Sequence, residues 1–372
     1  MVAVWTACCA ARTWSTSGLS WHYFADGSRM LVGHLGLHTY AAHPELQTGP
    51  LSLLAAALGH PLPSALEEKL ALVVMAAAGP VLLAVLVPLV DPSRRAVRVL
   101  LAGLVLAPAW IVLSVRWGHL DDVLAMAAAV VAIRAVSAGR PLLTGLALAA
   151  AIACKPWALG FLPLVLALPA SSWVLGLGAA AAGTALAWLP FVTGDPGTLA
   201  AMHPNVALVP SSGLHTLGAR GEVVPSWGRA AQLVGATGLA AVTALTGRWP
   251  GVLLVAVAVR LALDPQDNAY YIGSAALAAV VFDLLATRWV VPWTTVATVL
   301  LLWQPFVTDY AHRMTSTTGL AHWWFAHPGQ VGSVHVTWSL AVIVLVFAVP
   351  RPTATGAEPA MSTPSREAVV IS

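Results

Sequence analysis

The feature that most constrains this chain is a series of apolar windows, each about 20 residues long, that recurs along the sequence. A helix of about 20 residues crosses the hydrocarbon core of a bilayer, and a soluble protein has too little interior to bury many such windows. Apolar residues make up 59% of the 372 residues, charged residues make up 9%, and the mean hydropathy is +0.82. These windows predict an all-α fold: a polytopic transmembrane helical bundle with outer-face loops and short amphipathic helices.

The windows predict membrane spans at residues 1–17, 69–90, 96–115, 120–137, 172–191, 228–246, 269–286, 290–307 and 334–350. Shorter apolar pieces cover 141–154, 156–169 and 250–263, and the first two meet at Lys155-Pro156. Proline lacks an amide donor, so this junction predicts a broken helix. We expect a single transmembrane domain over residues 1–350, built from about 10–12 helices. The Pro/Thr/Ser/Ala-rich segment 351–372 is predicted to be a disordered tail.

The arginines predict how the chain is oriented. Arg94, Arg95 and Arg98 lie between two predicted spans, and Arg134, Arg140, Arg248, Arg288 and Arg351 fall at later hairpins on the same side. The positive-inside rule makes that side, and the tail, cytoplasmic in a multi-pass plasma-membrane protein. All 12 histidines lie in or beside segments of the opposite face, together with these acids: Asp26, Glu45, Asp121, Asp122, Asp195, Asp264, Asp267 and Asp309. The polar chemistry is therefore predicted to lie on the extracytoplasmic face.

Composition also excludes several classes of function. The net charge is +3 and no basic patch is interleaved with aromatic residues, so we expect no nucleic-acid partner. The three cysteines lack the spacing of a disulfide framework or a zinc site. Phosphate-binding glycine loops and the Gly-x-Ser-x-Gly nucleophile motif are missing from the sequence. No cofactor and no metal site are predicted.

Residues 20–50 form the first predicted outer loop and carry two candidate catalytic acids, Asp26 and Glu45. Asp26 follows an aromatic cluster and begins a predicted amphipathic helix, so it is either a helix cap or a general base. Arg29 is positioned to restrain Asp26 or to bind an anion. Glu45 is a second candidate base or a solvated loop acid. His34 and His38 have metal-capable helical spacing, but hydrogen bonding at the interface accounts for them better.

Other candidate residues lie in later segments of the same face. Arg116 and His119 precede Asp121-Asp122 at a predicted helix start and are candidates to hold a phosphate, whereas the aspartates suit the helix dipole. Lys155, at the helix break, either contacts a lipid phosphate or forms a structural ion pair, because an unpaired ammonium there is costly. The segment 264–271 is a sugar-binding turn or a well-capped hairpin, and its candidate sugar ligands are Asp264, Gln266 and Tyr270.

Several motifs together resemble a known family. They are the aromatic–acid stretch leading to Gly-Pro-Leu at 49–51, GHLDDVLAM at 118–126, AGRPLLTGLALAAAIACKPWALGFLPLVLAL at 138–168, and the DPQ turn followed by Tyr270-Tyr271. The chain is similar to the GT-C glycosyltransferases, in particular to family 87, the polyprenyl-phosphate-mannose-dependent mannosyltransferases of actinobacterial type. Ser20 stands near the place where that family often has an acid before the aromatic pair.

The resemblance implies a catalytic domain over residues 1–350 that transfers a sugar, mannose or arabinose, by inverting displacement. It implies Asp26 as the general base, with Lys155, Arg116 and His119 as cations for the leaving phosphate. The implied partners are a polyprenyl-phosphate sugar donor, a glycolipid or glycan acceptor, and the bilayer. The alternative is a lipid or solute transporter or flippase without transferase activity, which broken helices and Lys155 would suit.

Overall fold

The computed structural model describes residues 1–201, 206–304 and 319–350, and within these ranges the fold is entirely helical, without a β-strand. The all-α prediction is therefore confirmed for the described residues. The α-helices are α1 (Val2–Thr13), α2 (Trp21–Val32), α3 (Thr39–Ala42), α4 (Pro50–Ala57), α5 (Ser64–Leu86), α6 (Arg95–Ile111), α7 (Leu120–Ser137), α8 (Pro141–Cys154), α9 (Trp173–Gly194), α10 (Gly197–Ala201), α11 (Gly213–Thr216), α12 (Gly228–Leu245), α13 (Val252–Ala262), α14 (Tyr271–Ala286), α15 (Trp293–Leu302), α16 (Gly319–Ala326) and α17 (Pro328–Ala348).

Among the described residues, 4 helical segments are long and apolar enough to cross a membrane: Ser64–Leu89, Arg95–Arg116, Ala170–Gly194 and Pro328–Ala348. Each overlaps a span predicted from the sequence. The first continues α5 through a short 3-10 turn, and the second continues α6 through a π-helical turn at Val112–Arg116. These helices place the chain in or at a membrane.

The centre of the molecule is built from shorter apolar helices, α13 and α14. Every residue of α13 from 252 to 261 and every residue of α14 from 271 to 284 is buried. Helices that are apolar all round need an apolar environment on every side, which explains why this pair lies inside the assembly of helices. Two polar groups within this centre, Arg260 and Asp283, therefore require partners.

The predicted break at Lys155-Pro156 is present. α8 ends at Cys154, Lys155 is extended (φ −146°, ψ 113°), and a 3-10 helix runs over Pro156–Ala167. The extended residue turns the Lys155 side chain away from the path of α8. The break therefore places a cation between two apolar segments.

Helices α8 and α9 approach closely because small residues face each other. A Cβ atom added at Gly145 would lie 2.2 Å from the carbonyl oxygen of Gly176 and 2.7 Å from the Cβ of Ala179. Small residues let membrane helices approach this closely, and the contact is then held by dispersion. At Gly178, by contrast, an added Cβ would meet nothing within 4 Å.

At the C-terminal end of α14, the buried side chains of Arg98 and Asp283 hydrogen-bond to the backbone of helix termini. The guanidinium of Arg98 donates hydrogen bonds to the carbonyl oxygens of Asp283 and Thr287, each at 2.7 Å. The carboxylate of Asp283 accepts from the backbone nitrogen of Thr295 at 2.8 Å, at the start of α15. Both groups satisfy helix termini that would otherwise be buried without partners.

Two details of the predicted outer loop are wrong. Helix α2 begins at Trp21, so Asp26 lies in its middle and does not cap its start. His34 and His38 do not share a helix, because α2 ends at Val32 and His38 ends a separate 3-10 turn, Gly36–His38. The predicted tail 351–372 and the loop residues His203, Asp309, His312 and Arg313 lie outside the described residues.

The α8–α9 contact gives a matched pair of substitutions. We expect Gly145→Ala to lower the thermal midpoint of the detergent-solubilised protein, because overpacking costs about 1–3 kcal/mol. Gly178→Ala adds the same methyl group in open space on α9, and we expect an unchanged or slightly higher midpoint because alanine favours helix. Equal midpoints for the two variants would contradict the close packing.

Candidate functional site

The start of α7 carries a buried acidic group. Asp121 and Asp122 lie in its first turn, and His119 immediately precedes it. The Nδ1 atom of His119 lies 3.2 Å from Oδ1 of Asp121 and 3.5 Å from Oδ2 of Asp122. Carboxylates are favoured at a helix N-terminus, where the peptide dipoles present positive potential. The dipole alone does not offset the burial of two acids, so the partners on other segments matter.

Lys155 supplies the first of these partners. Its Nζ atom donates to Oδ2 of Asp121 and lies 3.8 Å from Oδ2 of Asp122. The Lys155 side chain is only 12% exposed. The helix break thus delivers an ammonium group to the start of α7. Of the two roles predicted for Lys155, the structural ion pair is the one that the geometry shows.

Arg260, from the buried helix α13, completes the pairing. Its Nη1 atom lies 3.6 Å from Oδ1 of Asp122, and its Nε atom lies 3.7 Å from Oδ2 of Asp264. Asp264 also accepts hydrogen bonds from Nε2 of Gln232 and from the hydroxyl of Tyr271, both at 3.2 Å. We call the set His119, Asp121, Asp122, Lys155, Arg260 and Asp264 the charge cluster.

Aromatic rings enclose the charge cluster. The guanidinium carbon of Arg260 lies 4.1 Å from the ring centre of Trp157 and 4.5 Å from that of Tyr271. The ring of Tyr270 stacks on His119 with centroids 3.6 Å apart. Trp157 also donates its indole hydrogen to Oδ1 of Asp122 at 3.1 Å. Such rings exclude water while stabilising the cations through their π faces.

The charges in the cluster balance when His119 is protonated. The ion pairs join three carboxylates to Lys155 and Arg260, which leaves one negative charge for His119 to compensate. Burial opposes protonation of His119, but its hydrogen bond to Asp121 and the nearby Asp122 carboxylate outweigh that effect and raise its pKa.

A cavity of about 220 Å³ lies one aromatic ring away from the charge cluster. Trp117 lines the cavity, and its ring centre lies 5.6 Å from that of Tyr270, the ring that stacks on His119. The described residues that line it are Trp117, Val209, Ser211, Asp267, Asn268, Ala269, Gln304, Trp324, Phe325 and Pro328. The cavity combines aromatic faces with uncharged polar groups and one carboxylate.

The 264–271 turn contributes residues both to the charge cluster and to the cavity. The sequence did not indicate which residues of the turn belong to which. Asp264 and Tyr270, which were predicted to bind sugar, belong to the charge cluster and its aromatic wall. Gln266 accepts a hydrogen bond from Asn268 at 2.9 Å. Asp267 and Asn268, from the same turn, are the residues that line the cavity.

Asp26 and Arg29 lie on the exposed face of α2. Their side chains form an ion pair at 3.2 Å, and Arg29 also lies 3.2 Å from Oε2 of the buried Glu67. Phe24, two residues before Asp26, belongs to the opposite, buried face and contacts the ring of His119. Helix α2 therefore meets the charge cluster through Phe24, while Asp26 points away from that contact.

Glu45 is exposed and is hydrogen-bonded to its neighbour His43 at 2.8 Å. That bond holds the pKa of Glu45 below its usual range, so the group stays ionised. Tyr40, from the same loop, is buried against the rings of Trp188 and Phe191, and burial, followed by the charge of Asp121, raises its pKa well above its usual value.

Arg116, the remaining candidate cation, is buried at the end of the π-helical turn. Its Nη1 atom donates to the carbonyl oxygen of Thr16 at 2.9 Å. The backbone of residues 115–117 also accepts hydrogen bonds from residues 18–20. Arg116 thereby fastens the segment before α2 to the segment before α7.

Three groups in the cluster have metal-ligand chemistry. One ligand atom each from His119, Asp121 and Asp122 lies within 4.8 Å of the others, the one such group among the described residues. Lys155 already occupies Oδ2 of Asp121, so a divalent ion there would be placed beside an ammonium group. The ammonium group disfavours such an ion.

No family model, no curated protein and no solved structure matches this chain. The similarity to family 87 therefore rests on the sequence motifs alone.

Sequence reasoning missed Arg260, Trp157 and Gln304. One signal for Arg260 was available: an arginine inside the apolar run VLLVAVAVRLA must find a buried partner. The partners themselves could not be identified, because Asp122 and Arg260 are 138 residues apart in the sequence.

The cluster predicts strong coupling between Asp121 and Lys155. We expect Lys155→Met to lower stability by about 3–5 kcal/mol, because it leaves Asp121 buried without its ammonium partner. The double variant Lys155→Met with Asp121→Leu should recover much of that loss. Thermal unfolding in one detergent compares the variants.

A suitable control is Asp195→Asn, which alters a partly exposed carboxylate hydrogen-bonded to His38 at 2.9 Å. This substitution should leave the midpoint nearly unchanged. Additive losses in the double variant would contradict the ion pair.

Proposed function

We propose that this chain is a polytopic membrane glycosyltransferase of GT-C type. It moves a sugar, mannose or arabinose, from a polyprenyl-phosphate donor to a lipid- or cell-envelope-linked acceptor on the non-cytoplasmic side of the plasma membrane. The observation that carries the proposal is the adjacency of a buried charge cluster to an aromatic, polar cavity in an assembly of apolar helices. The motifs that resemble family 87 support the same activity.

The reaction is a single displacement at the anomeric carbon. The acceptor hydroxyl oxygen attacks that carbon while a carboxylate takes the hydroxyl proton. The bond from the anomeric carbon to the phosphate oxygen breaks, and its electron pair leaves with the polyprenyl phosphate. The configuration at the anomeric carbon inverts. The step needs a carboxylate, a neutral sugar site and a cation for the leaving phosphate.

Asp26 is the proposed base, and Arg29 is the cation beside it. Both side chains are about half exposed, at 59% and 48%, so substrate can reach them without unfolding the charge cluster. Glu67 and Asp26 hold the guanidinium of Arg29 from two sides. The cluster residues Lys155 and His119, together with Arg116, hold the surrounding segments in place.

A transporter or flippase is the second candidate, and one observation favours it. Lys155 lies at an extended break between two helical pieces, and discontinuous helices often form substrate sites in transporters. In this chain the Lys155 ammonium is paired with Asp121, which favours a structural role.

The test of the proposal is sugar transfer by the purified protein in lipid nanodiscs. Radiolabelled polyprenyl-phosphate sugars are supplied one at a time with an envelope glycolipid extract. We expect transfer from one donor and a loss of about 10²–10⁴-fold in rate for Asp26→Asn, since that is the usual contribution of a general base.

Asp195→Asn is the matched control because Asp195 is another carboxylate that is partly exposed. It should transfer sugar at the wild-type rate. Full activity of Asp26→Asn would remove Asp26 as the base. Donor flipping by the protein in lipid vesicles, without transfer from any donor, would refute the transferase and support the transporter.

A further inference from the structure

We infer that the cavity beside Tyr270 is a monosaccharide subsite, in which one sugar ring lies against Trp324 and hydrogen-bonds to Asp267, Asn268 and Gln304. This inference deepens the proposed function and rests on it for the identity of the ligand. Asp267 and Asn268 belong to the 264–271 turn that the sequence indicated as a candidate sugar-binding turn, whereas Gln304 was not among the candidates.

The hydrogen-bonding groups of the cavity are mainly acceptors. The Nδ2 atom of Asn268 donates to Oε1 of Gln266 at 2.9 Å and to the hydroxyl of Tyr271 at 3.1 Å. The Nε2 atom of Gln304 donates to the carbonyl oxygen of Asp267. Protein partners thus engage both amide hydrogens of Asn268 and one of the two amide hydrogens of Gln304, and the amide oxygens and the Asp267 carboxylate are the acceptors that the described lining offers a ligand. A ligand rich in hydrogen-bond donors fits such a lining.

The lining also excludes an anion. Neither lysine nor arginine is found among the described residues that line the cavity, and its one charged residue is Asp267. A phosphate group would meet carboxylate and carbonyl oxygens there, which repel it. The cavity therefore suits the uncharged sugar and not the lipid phosphate.

Aromatic faces supply the apolar half of the site. Trp117, Trp324 and Phe325 line the same cavity as the amides. One face of a pyranose presents C–H groups that cover an aromatic ring, while its hydroxyls point outward to hydrogen-bonding partners. Small-molecule sites commonly combine apolar walls with a few fixed polar groups. The volume of about 220 Å³ is enough for a single sugar ring.

The chain offers a matched control next to the proposed contact. Trp323 and Trp324 are consecutive on α16, but Trp324 lines the cavity whereas Trp323 is 37% exposed and stacks on His327. Substitution of either residue by leucine removes the same ring. Only Trp324→Leu removes a wall of the cavity.

The test is saturation-transfer NMR on the protein in lipid nanodiscs, with methyl α-D-mannopyranoside as the probe. Nanodiscs are required because alkyl glycoside detergents would present sugar rings of their own. Irradiation of aromatic protons excites the protein and not the lipid, and empty nanodiscs correct for the scaffold protein. A titration of the probe gives its dissociation constant.

We expect saturation of the ring protons of the mannoside in the wild-type protein and in Trp323→Leu. Trp324→Leu and Asp267→Asn should each weaken binding by about tenfold. Asp267→Asn keeps the size of the side chain, so it tests the site even where the tryptophan variant misfolds. Equal affinity in all four proteins would overturn the inference, as would the absence of mannoside binding to the wild type.

Choline chloride provides a second arm, because an aromatic cavity with one carboxylate resembles a site for a quaternary ammonium ion. Choline binding without mannoside binding would overturn the sugar assignment. In the transfer assay, a raised KM for the donor or for the acceptor in Asp267→Asn identifies which sugar occupies the subsite.

Different experimental results would refute the sugar subsite and the transferase activity. Mannoside binding that depends on Trp324, in a protein that transfers no sugar, would refute the transferase and leave the subsite standing. Sugar transfer with unchanged KM values in both cavity variants, together with unaltered mannoside binding, would refute the subsite and leave the transferase standing.

Discussion

The structure depends on the buried ion pair between Asp121 and Lys155. Each charge alone would cost several kcal/mol in an apolar interior, so neither the start of α7 nor the break after α8 is stable without the other. Arg260 extends the pairing to α13, and Asp264 extends it to the turn before α14. The charge cluster thereby holds together four segments that are distant in sequence: the start of α7, the break after α8, helix α13 and the turn before α14. Trp117, in the cavity wall, is fixed with them through the ring of Tyr270.

Most of the helices could be predicted from the sequence because their physical cause is local. A helix in an apolar environment satisfies its own backbone, so the apolar windows gave the bounds of α8 as 141–154 and of α7 as 120–137, both in agreement with the structure. The start of α2 was predicted wrongly because Asp26 is a good N-cap residue, whereas the helix begins five residues earlier at Trp21. Burial of Trp21 and Phe24 outweighs the local capping preference.

The partners within the site could not be predicted, because they depend on how helices cross. The prediction gathered Asp121, Lys155 and Asp264 onto one face, but nothing in the sequence pairs Lys155 with Asp121 or Arg260 with Asp122. The same limit explains the 264–271 turn: the nearby residues Asp264 and Asp267 face different environments, the first the cluster and the second the cavity. Such a change of direction within one turn is a tertiary property.

The charge balance of the cluster constrains the proposed reaction. Lys155 and Arg260 are already compensated by carboxylates, so a phosphate anion placed among them would add unbalanced negative charge at a buried point. Arg29, which lies outside the cluster and is half exposed on α2, is therefore the better candidate to bind the leaving phosphate. Arg29 already has Asp26 beside it, and a phosphate that draws the guanidinium away would release the carboxylate as a base. Donor binding and base activation would then be one event on α2, while the cluster keeps the helices in place.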